Sequence, residues 1–376
     1  MAEPLKNSFG PDVARRIGAM IKRVYPAFKT AEFLSDALDG YDELELMARA
    51  RQIAAALHSH LPKAYEEATG ILLKSLGPED QIQDESDPMA SFFYMPHCCF
   101  VAAYGIDHFA ASMKANYELT KRFTAEFSIR PFISAYPTKT LALLKKWTSD
   151  PSADVRRLVS EGTRPRLPWA SRLPEFQKDP TPVLALLERL KDDPELYVRR
   201  SVANNLNDIG KDHPGLLVET ATAWMQDASQ ERQWLVRHAL RSAIKKGDPG
   251  ALRVLGYGDA KGFSVKAMKI TPKRPVIGES IRIDFDVVNT SKQPQRVMVD
   301  FSIHYIKANG SARPKVFKLK ALELGPGESS RVGKKVSVAD MTTRRHYVGR
   351  HQVEAILNGH AESIGSFDLT RKKVDP

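Results

Sequence analysis

The chain contains very little cysteine. Its only two cysteines among 376 residues, Cys98 and Cys99, are neighbours in the sequence. Adjacent cysteines cannot link distant segments of a fold, because a disulfide joins two residues that the chain brings together from separate places. The sequence therefore excludes a disulfide-stapled scaffold. It fits a reducing compartment, and we expect a cytoplasmic protein.

Long hydrophobic runs are also absent. No stretch approaches the roughly 18 apolar residues that a membrane span needs. The start of the chain, Met1 to Asn7, has no apolar segment of the kind found in secretory signals. We expect no membrane partner.

The strong sequence signatures of catalysis and metal binding are missing as well. The chain has no Walker loop, no G-x-G-x-x-G motif after a strand, no H-E-x-x-H and no C-x-x-C. His97, Cys98 and Cys99, with His108 nearby, resemble a metal cluster only superficially, since adjacent ligand types in an apolar run are more often core residues. We predict no metal and no cofactor.

The net charge of +11 is unevenly distributed along the chain. Residues 1–114 carry 11 basic against 16 acidic side chains, residues 115–260 carry 23 against 18, and residues 261–376 carry 22 against 11. The basic excess thus belongs to the middle and above all to the last third. Such polarity favours a nucleic-acid partner.

The string Asp-Pro-x-x-x-Val-Arg-Arg occurs twice, from Asp150 to Arg157 and from Asp193 to Arg200, and a degenerate copy occurs at Trp234 to His238. The Val-Arg steps lie 43 and 38 residues apart, the period of two-helix HEAT-type repeats. Asp-Pro predicts a helix start, with Asp as the cap and Pro at the first helical position. The valine then faces the neighbouring repeat and the arginine after it faces outwards, so the stack presents arginines to a polyanion.

Helical periodicity extends over most of the first 259 residues. The predicted repeat pairs are 141–147 with 155–162, 182–190 with 198–209, and 216–225 with 235–246. Earlier helices are predicted at 12–24, 44–61, 65–76 and 95–104, and helical character at 119–127 until Pro131 interrupts it. We predict a mostly α protein whose residues 1–259 form a HEAT-like α-solenoid.

After Gly258 the hydrophobic period changes from 3.6 to 2. Apolar residues alternate with polar ones at 281–287, 297–305 and 353–357, and turn signals separate these runs at Asn289, Asn309-Gly310, Gly325-Pro326-Gly327 and Asn358-Gly359. Short alternating strands with such turns indicate an immunoglobulin-like β-sandwich without a disulfide. We predict that residues 260–376 form this second domain.

The residues that come after the repeated string differ between its two copies. Glu161 lies five residues after Arg156, whereas Asn204 lies five residues after Arg199. Asp208 lies near the end of its own helix, where the helix dipole disfavours a carboxylate. A pure scaffold would repeat here, so this asymmetry marks the candidate active site.

At this point the sequence resembles the AlkC branch of the DNA alkylation repair glycosylases, whose relatives include AlkD. The resemblance covers roughly residues 5–257 and is carried, in order, by Leu5 to Asn7, Glu126-Phe127-Ser128-Ile129-Arg130-Pro131-Phe132, Glu161 to Trp169, Val198 to Asp208 and Trp234 to Leu255. It implies a HEAT-like superhelix that cradles duplex DNA and excises cationic N-alkylated bases, especially 3-methyladenine and also 3-methylcytosine and 1-methyladenine. Some members append an Ig-like domain, as the tail here predicts.

The resemblance further implies that Glu126, Glu161 and Asp208 act as catalytic carboxylates and Trp169 as an aromatic contact to the lesion. Structural alternatives stay open for each residue. Glu161 and Asp208 could be solvated helix-end carboxylates. Glu126 could pair with Arg122 or Arg130 one turn away, and Trp169 could fill the core between repeats.

Basic side chains of both domains are candidates for phosphate contacts. In the repeats they are Arg156, Arg157, Arg164, Arg166, Arg199, Arg200, Arg237 and Arg241, and in the sandwich Lys334, Lys335, Arg344 and Arg345. If six phosphates are neutralised, log affinity should fall with log salt at a slope of about −5. Solvated loop charge is the alternative for each sandwich pair.

The sequence is consistent with two functions. The first is a monofunctional DNA glycosylase, a monomer associated with the bacterial nucleoid, which needs no metal or cofactor and acts on double-stranded DNA with alkylated bases. The second is a non-catalytic HEAT-repeat scaffold that binds nucleic acid or an acidic protein through the same arginines. Only the first needs carboxylates and an indole that face the duplex.

Overall fold

The computed structural model describes residues 5–77, 90–341 and 345–371. The chain divides into two compact units. The first runs to His213 and takes in Ser229–Ala239, and the second comprises Pro214–Ala228 and the chain from Leu240 onward. The predicted domain boundary between residues 259 and 260 stays a prediction. It falls where helix gives way to strand.

The helices follow the amphipathic pattern of the sequence. In the first of them Val13, Ile17 and Ile21 recur every four residues and are all buried, while the charged residues between them face solvent. The α-helices are α1 Pro11–Val24, α2 Thr30–Ala37, α3 Leu46–His60, α4 Tyr65–Ser75, α5 Met95–Tyr104, α6 Phe109–Thr120, α7 Arg130–Ala135, α8 Pro137–Trp147, α9 Ala153–Gly162, α10 Pro174–Lys178, α11 Thr181–Leu190, α12 Leu196–Ile209, α13 Pro214–Met225, α14 Gln230–Lys246 and α15 Pro249–Val254.

Two of the predicted repeat pairs lie in the first unit. Helix α8 precedes α9, α11 precedes α12, and α9 packs against α12. Val155 and Val198, the valines of the two Asp-Pro-x-x-x-Val-Arg-Arg copies, are completely buried, as predicted. Helices α13 and α14 match the third predicted pair in their spans. The mostly α, HEAT-like class of the N-terminal region is confirmed.

The role predicted for Asp-Pro was wrong in its detail. Helix α9 begins at Ala153 with Ser152 as its N-cap, so Asp150 and Pro151 lie before the helix. The Asp150 carboxylate instead accepts a hydrogen bond from the Ser152 amide (2.9 Å), and Asp193 does the same with the Glu195 amide (2.9 Å). Asp-Pro therefore forms an Asx-type turn ahead of each helix rather than its first turn.

The helical character predicted for residues 119–127 was also wrong beyond Thr120. Helix α6 ends at Thr120 and the next residues form turns. Pro131 does not interrupt a helix; it occupies the first turn of α7, where its missing N–H leaves no bond unmade. Glu126 is consequently placed in a turn that Ser128 anchors by donating to the Asn116 side chain (2.5 Å).

The second unit contains a sandwich of two antiparallel sheets. The strands are β1 Phe263–Thr271, β2 Ser280–Asn289, β3 Gln295–Ile306, β4 Ala312–Leu324, β5 Ser329–Ser337, β6 Gly349–Leu357 and β7 His360–Leu369. Strands β1, β2 and β5 form one sheet in that order, and β4, β3, β6 and β7 form the other. Apolar residues that alternate along β2 and β3, among them Ile283, Phe285, Val299 and Phe301, are completely buried between the sheets.

The predicted turns connect these strands. Asn358 and Gly359 both have positive φ (46° and 82°) and join β6 to β7, as expected for a two-residue hairpin turn. Asn289 accepts a hydrogen bond from the Ser291 amide (2.9 Å) after β2. Across the described ranges, no helix is both long and apolar enough to cross a membrane.

Candidate active site

Three carboxylates of the first unit are joined by two arginines. Arg164 donates through Nη1 to Glu161 Oε1 (2.5 Å) and through Nε to Asp208 Oδ2 (2.8 Å). Arg157 contacts Glu126 Oε2 through Nη1 (2.7 Å) and lies 3.8 Å from Glu161 Oε1 through Nη2. The turn before α7, helix α9 with the loop after it, and the end of α12 thus bring together residues up to 82 positions apart in sequence.

These carboxylates are buried. Glu161 is 6% exposed, Asp208 1% and Glu126 8%. A carboxylate removed from water costs several kcal/mol unless cations and hydrogen-bond donors compensate it. The alternative of solvated helix-end carboxylates does not describe Glu161 and Asp208. The alternative partners of Glu126 are likewise not observed, because Arg122 pairs with Glu118 and Arg130 donates to carbonyls.

Further donors complete the network. Ser201 on α12 donates to Glu161 Oε2 (2.6 Å), and Lys211 donates to Asp208 Oδ1 (2.6 Å). Thr124 donates to Glu126 Oε2 (2.7 Å). Both oxygens of Glu161 and of Asp208 therefore have partners. Their orientation is fixed before any ligand arrives.

The arginines of the network remain cations. Burial lowers the pKa of Arg164, but the attraction of Glu161 and Asp208 outweighs burial and the pKa ends above its ordinary value. For Arg157 burial likewise lowers the pKa, and the attraction of Glu126 more than restores it. The charges of the cluster balance, since three buried carboxylates face Arg157, Arg164 and the exposed Lys211.

Trp169 is not a core residue. Its side chain is 67% exposed, and its backbone has φ 62°, a left-handed conformation that is uncommon for an aromatic residue. The fold accepts such local strain where surrounding contacts over-determine it. The alternative of an indole that fills space between repeats is excluded by this exposure.

Arg130 holds the loop that carries Trp169. Its guanidinium, 1% exposed, donates to the carbonyls of Gly162 and Arg164 (both 2.9 Å) and twice to that of Ser171 (3.0 and 2.5 Å). The rigid fork of five N–H donors suits such multiple contacts. Sequence reasoning did not assign Arg130 this role. Its signal was its place in the segment from Glu126 to Phe132.

Two of the carboxylates, Glu126 and Glu161, and the Trp169 indole border one cavity of about 390 Å³. Its wall includes Glu126, Glu161, Arg157, Arg164, Trp169 and Tyr197, together with Phe92, Phe123, Thr124, Phe127, Leu167 and Pro168. We call it the active-site cavity. Asp208 does not line it and lies behind Arg164.

Tyr197 is a residue of this wall that sequence reasoning missed. Its side chain is 46% exposed, and the Arg157 guanidinium lies 5.1 Å from its ring centroid. The signal was available, because the position before the repeated Val-Arg step is Asp154 in the first copy, Tyr197 in the second and Leu235 in the third. An aromatic residue at only one of three equivalent positions is a difference between the copies of the repeated string, as Glu161 is.

The first arginines of the repeated string do not face outwards, contrary to the sequence prediction. Arg156 forms a two-pronged ion pair with Asp193 of the next copy (2.6 and 3.0 Å), and its Nη1 donates to the carbonyls of Asp150 and Pro151. Arg199 repeats the second pattern on the carbonyls of Asp193 and Pro194. The physical reason is that the turn before each helix leaves carbonyls that need a donor.

The remaining predicted phosphate contacts differ in availability. Arg166 pairs with Asp212 (2.5 Å). Arg200 and Arg237 are exposed and, within the described part of the chain, form no ion pair. Arg241, Lys334, Lys335 and Arg345 are exposed as well, and Arg344 lies outside the described residues.

Of the histidine and cysteine residues near residue 100, His97 and Cys98 are core residues, whereas Cys99 and His108 are partly exposed. His97 is 2% exposed, Cys98 is buried, and His108 pairs with Glu66 (2.6 Å). Among residues 5–77, 90–341 and 345–371, no group of three or more His, Cys, Asp or Glu side chains could hold a metal ion.

Comparison with known proteins places both parts of the chain. Residues 264–371 match the family model described as the C-terminal Ig-like domain of the uncharacterised protein YhaZ, which confirms the immunoglobulin-like prediction. The uncharacterized protein YhaZ of Bacillus subtilis (strain 168) is 36% identical over 366 residues, covering 97% of this chain and 99% of that protein.

A solved structure matches over the same extent. It is that of the alkylpurine DNA glycosylase AlkC of Pseudomonas fluorescens bound to DNA containing an abasic site analogue. It is 38% identical with a TM-score of 0.80, covering 98% of this chain and 99% of that one. At these identities over nearly its whole length, the chain belongs to the AlkC-type family of the AlkC/AlkD HEAT-like repeat superfamily.

Proposed function

We propose that this protein is a DNA glycosylase that hydrolyses the N-glycosidic bond of cationic N-alkylated bases in duplex DNA. 3-Methyladenine is the first substrate to test, followed by 3-methylcytosine and 1-methyladenine. The observation that carries the proposal is the active-site cavity, in which the exposed indole of Trp169 stands beside the buried carboxylates Glu126 and Glu161. Membership of the AlkC-type family supports it, since AlkC is an alkylpurine DNA glycosylase.

The chemistry asks little of the protein beyond electrostatics. Alkylation at a ring nitrogen gives the base a positive charge and weakens its bond to the sugar. When the base departs with the bonding electrons, the sugar becomes an oxocarbenium-like cation. A carboxylate about 4 Å away would stabilise that cation by about 4 kcal/mol at an effective dielectric constant of 20.

Glu161 is our choice for that carboxylate, with Glu126 beside it. Both line the active-site cavity, whereas Asp208 contacts Arg164 behind the wall. We therefore assign Asp208 the role of a positioning residue that holds Arg164 against Glu161. Water, oriented by Glu126 or Glu161, is the nucleophile, as a monofunctional glycosylase requires.

Two aromatic rings would select the lesion over its undamaged parent. Trp169 and Tyr197 both line the active-site cavity and are substantially exposed. A cation over an aromatic face gains roughly 0.5–2 kcal/mol, and a neutral base lacks this gain. Because the glycosidic bond is already weak, exposure of its sugar edge can replace full extrusion of the base.

For the DNA backbone we propose Arg200, Arg237 and Arg241 on exposed helix surfaces and Lys334, Lys335, Arg344 and Arg345 on the sandwich. Arg156 and Arg199 remain predicted phosphate contacts, but their bonds to Asp193 and to turn carbonyls argue for a structural role. Arg157, Arg164 and Arg166 would reach a phosphate only by leaving their carboxylates. The partner is duplex DNA, and we propose a monomer that acts at the nucleoid.

The proposal is tested by incubating the protein with methylated duplex DNA and measuring released 3-methyladenine against the spontaneous rate. Glu161→Gln removes one negative charge and keeps the size of the side chain. We expect its single-turnover rate to fall roughly 10²–10³-fold, with DNA affinity changed less than about threefold. Glu67→Gln, on an exposed carboxylate of α4, is the matched control and should act as wild type.

Asp208→Asn separates the roles of the carboxylates. If Asp208 is a positioning residue, Asp208→Asn should lower the excision rate less than Glu161→Gln does. It should destabilise the fold more, because Arg164 and Lys211 lose a buried partner. DNA binding without release of any base by the wild-type protein would instead favour the non-catalytic scaffold.

A further inference from the structure

A second cavity adjoins the active-site cavity and has no carboxylate in its wall. Its volume is about 320 Å³, and Phe127 and Trp169 belong to the walls of both cavities. The rest of its wall comes from α3, α5 and the Trp169 loop, and includes Met47, Arg51, Met95, Cys99 and Ala103. We call it the Met95 cavity.

The two walls differ in their charged groups. The active-site cavity contains the carboxylates Glu126 and Glu161 together with Arg157 and Arg164, whereas the wall of the Met95 cavity contains no carboxylate and one cation, Arg51. In the parts of the chain that the structure describes, no ion-pair partner is found for Arg51, which is exposed. Burial raises the pKa of the Cys99 thiol to about 11, so this side chain adds no negative charge near neutral pH.

The proposed reaction changes the charge of the base. The substrate is a cationic base bonded to C1′, and the C–N bond breaks with both electrons going to the base, which leaves as a neutral molecule. Water forms the new C1′–O bond and gives up one proton. The carboxylates that attract the lesion therefore lose their attraction for the product at the moment the bond breaks.

We propose that the Met95 cavity binds the released, neutral alkylated purine. The inference rests on the proposed glycosylase function and goes beyond it, since it gives the product a site of its own. The shared wall of Phe127 and Trp169 places the two sites next to each other.

The chemistry of the Met95 cavity suits this ligand. A volume of about 320 Å³ lies within the range of small-molecule sites and accommodates a purine. Methionine side chains adapt to flat rings and contact them favourably through sulfur. The Arg51 guanidinium only donates hydrogen bonds, so it pairs with the ring nitrogens of a neutral purine and repels a cationic one.

The test uses the intact protein without DNA and tritiated 3-methyladenine in equilibrium dialysis. Ala103→Phe fills the Met95 cavity from α5 at an exposed position. We expect it to weaken binding of the free base at least tenfold and to leave the single-turnover excision rate within about twofold of wild type. Ala55→Phe, an exposed alanine of α3 that lines neither cavity, is the matched control and should bind the base as wild type does.

Arg51→Gln provides a second variant that cannot disturb the core, because the side chain is exposed. We expect it to weaken binding of 3-methyladenine about fivefold. In multiple-turnover assays, inhibition by added 3-methyladenine should weaken in Ala103→Phe and Arg51→Gln and stay unchanged in Ala55→Phe.

The outcomes separate this inference from the proposed function. If wild type excises 3-methyladenine but does not retain the free base, or if both cavity variants bind it as wild type does, the product site is wrong and the glycosylase stands. If wild type releases no base from methylated DNA, the glycosylase proposal and the inference built on it both fall.

Discussion

At the scale of single residues, Arg164 and Arg130 are buried arginines of the first unit with different tasks. Arg164 is matched by the carboxylates of Glu161 and Asp208, so its charge is compensated directly. Arg130 donates to carbonyl oxygens, and burial, together with repulsion from Arg164, lowers its pKa to about 10. It still carries its charge at neutral pH. The loop with Trp169 therefore depends on a cation that, among the described residues, forms no ion pair.

His97 is a buried residue whose polar ring atoms are not satisfied by hydrogen bonds in the described structure. Both ring nitrogens lack a hydrogen-bond partner within the described structure, and burial lowers the pKa of His97 to about 4. The unfolded chain binds a proton below about pH 6.5, whereas the folded protein does so only below about pH 4. The contribution of neutral His97 to the free energy of unfolding is thus complete above pH 6.5 and is lost as the pH falls towards 4.

We predict that His97→Leu flattens this dependence. Each pH unit between 6.5 and 4 costs wild type about 1.4 kcal/mol, so it should lose about 2 kcal/mol more than the variant between pH 6.5 and 5. Urea unfolding at both pH values measures the difference. Parallel pH curves for the two proteins would show that His97 is solvated or protonated in the fold.

At the scale of elements, the repeated string works as a device for stacking helices. Its first arginine holds the carbonyls of its own turn, and in the first copy the same guanidinium also grips Asp193 of the second copy. The hydrogen bonds to Asp193 raise the pKa of Arg156 above its ordinary value. The string therefore joins consecutive repeats. Its first arginines bond to other parts of the protein and do not form the outward-facing surface that the sequence predicted.

We predict that Arg156→Ala destabilises the protein by about 3 kcal/mol, because Asp193, 7% exposed, loses its buried partner. The stability of Arg156→Lys should lie between that of wild type and that of Arg156→Ala, since an ammonium cannot form the two-pronged contact. Chemical denaturation measures the effect.

Arg200→Ala, at the exposed end of the second string, is the control and should change stability by less than about 0.5 kcal/mol. If Arg156→Ala kept full stability and weakened DNA binding instead, its predicted phosphate contact would be right and the stacking role wrong.

At the scale of the whole molecule, the basic excess is concentrated on the sandwich. Its edge strands β4 and β5 carry exposed lysines, and Lys334 of β5 donates to the Lys318 carbonyl of β4 (3.2 Å). Truncation is a poor test of this surface. Gly258 donates to the Arg296 carbonyl (3.0 Å), and Asn358 donates to the Gly258 carbonyl (2.6 Å). Removal of the strands would therefore also remove the hydrogen-bond partners of the segment that precedes them.

We predict instead that the double substitution Lys334→Glu and Lys335→Glu lowers DNA affinity and reduces the slope of log affinity against log salt. Each lost phosphate contact removes about 0.9 from the slope. Fluorescence anisotropy over a range of salt concentrations measures it.

The matched control changes the same charge at Lys266 and Lys269, exposed on β1 at the far edge of the three-stranded sheet. An equal effect of both pairs would point to the overall field of the sandwich rather than to contact at β5.

Local patterns predicted the elements well where one signal dominated. The alternation at 281–287 and the Asn358-Gly359 turn are found as predicted, because a buried strand face and a tight turn each restrict the residues that can occupy them. The helix predicted at residues 119–127 was wrong beyond Thr120 because the apolar side chains of this segment could belong equally to a helix or to buried turns. Only the packing of Phe123 and Ala125 against other parts of the fold distinguishes these outcomes.

The sequence by itself determined the repeat period, the change to strands after residue 258, and the family to which the chain belongs, because these depend on spacing and order along the chain. Only the tertiary structure decided which cations are free. It joins Arg156 to Asp193 and Arg164 to Asp208, and it leaves Arg51 exposed in the wall of a largely apolar cavity. The reason is that charge compensation acts through space at about 3 Å, between residues that the sequence separates by about forty positions.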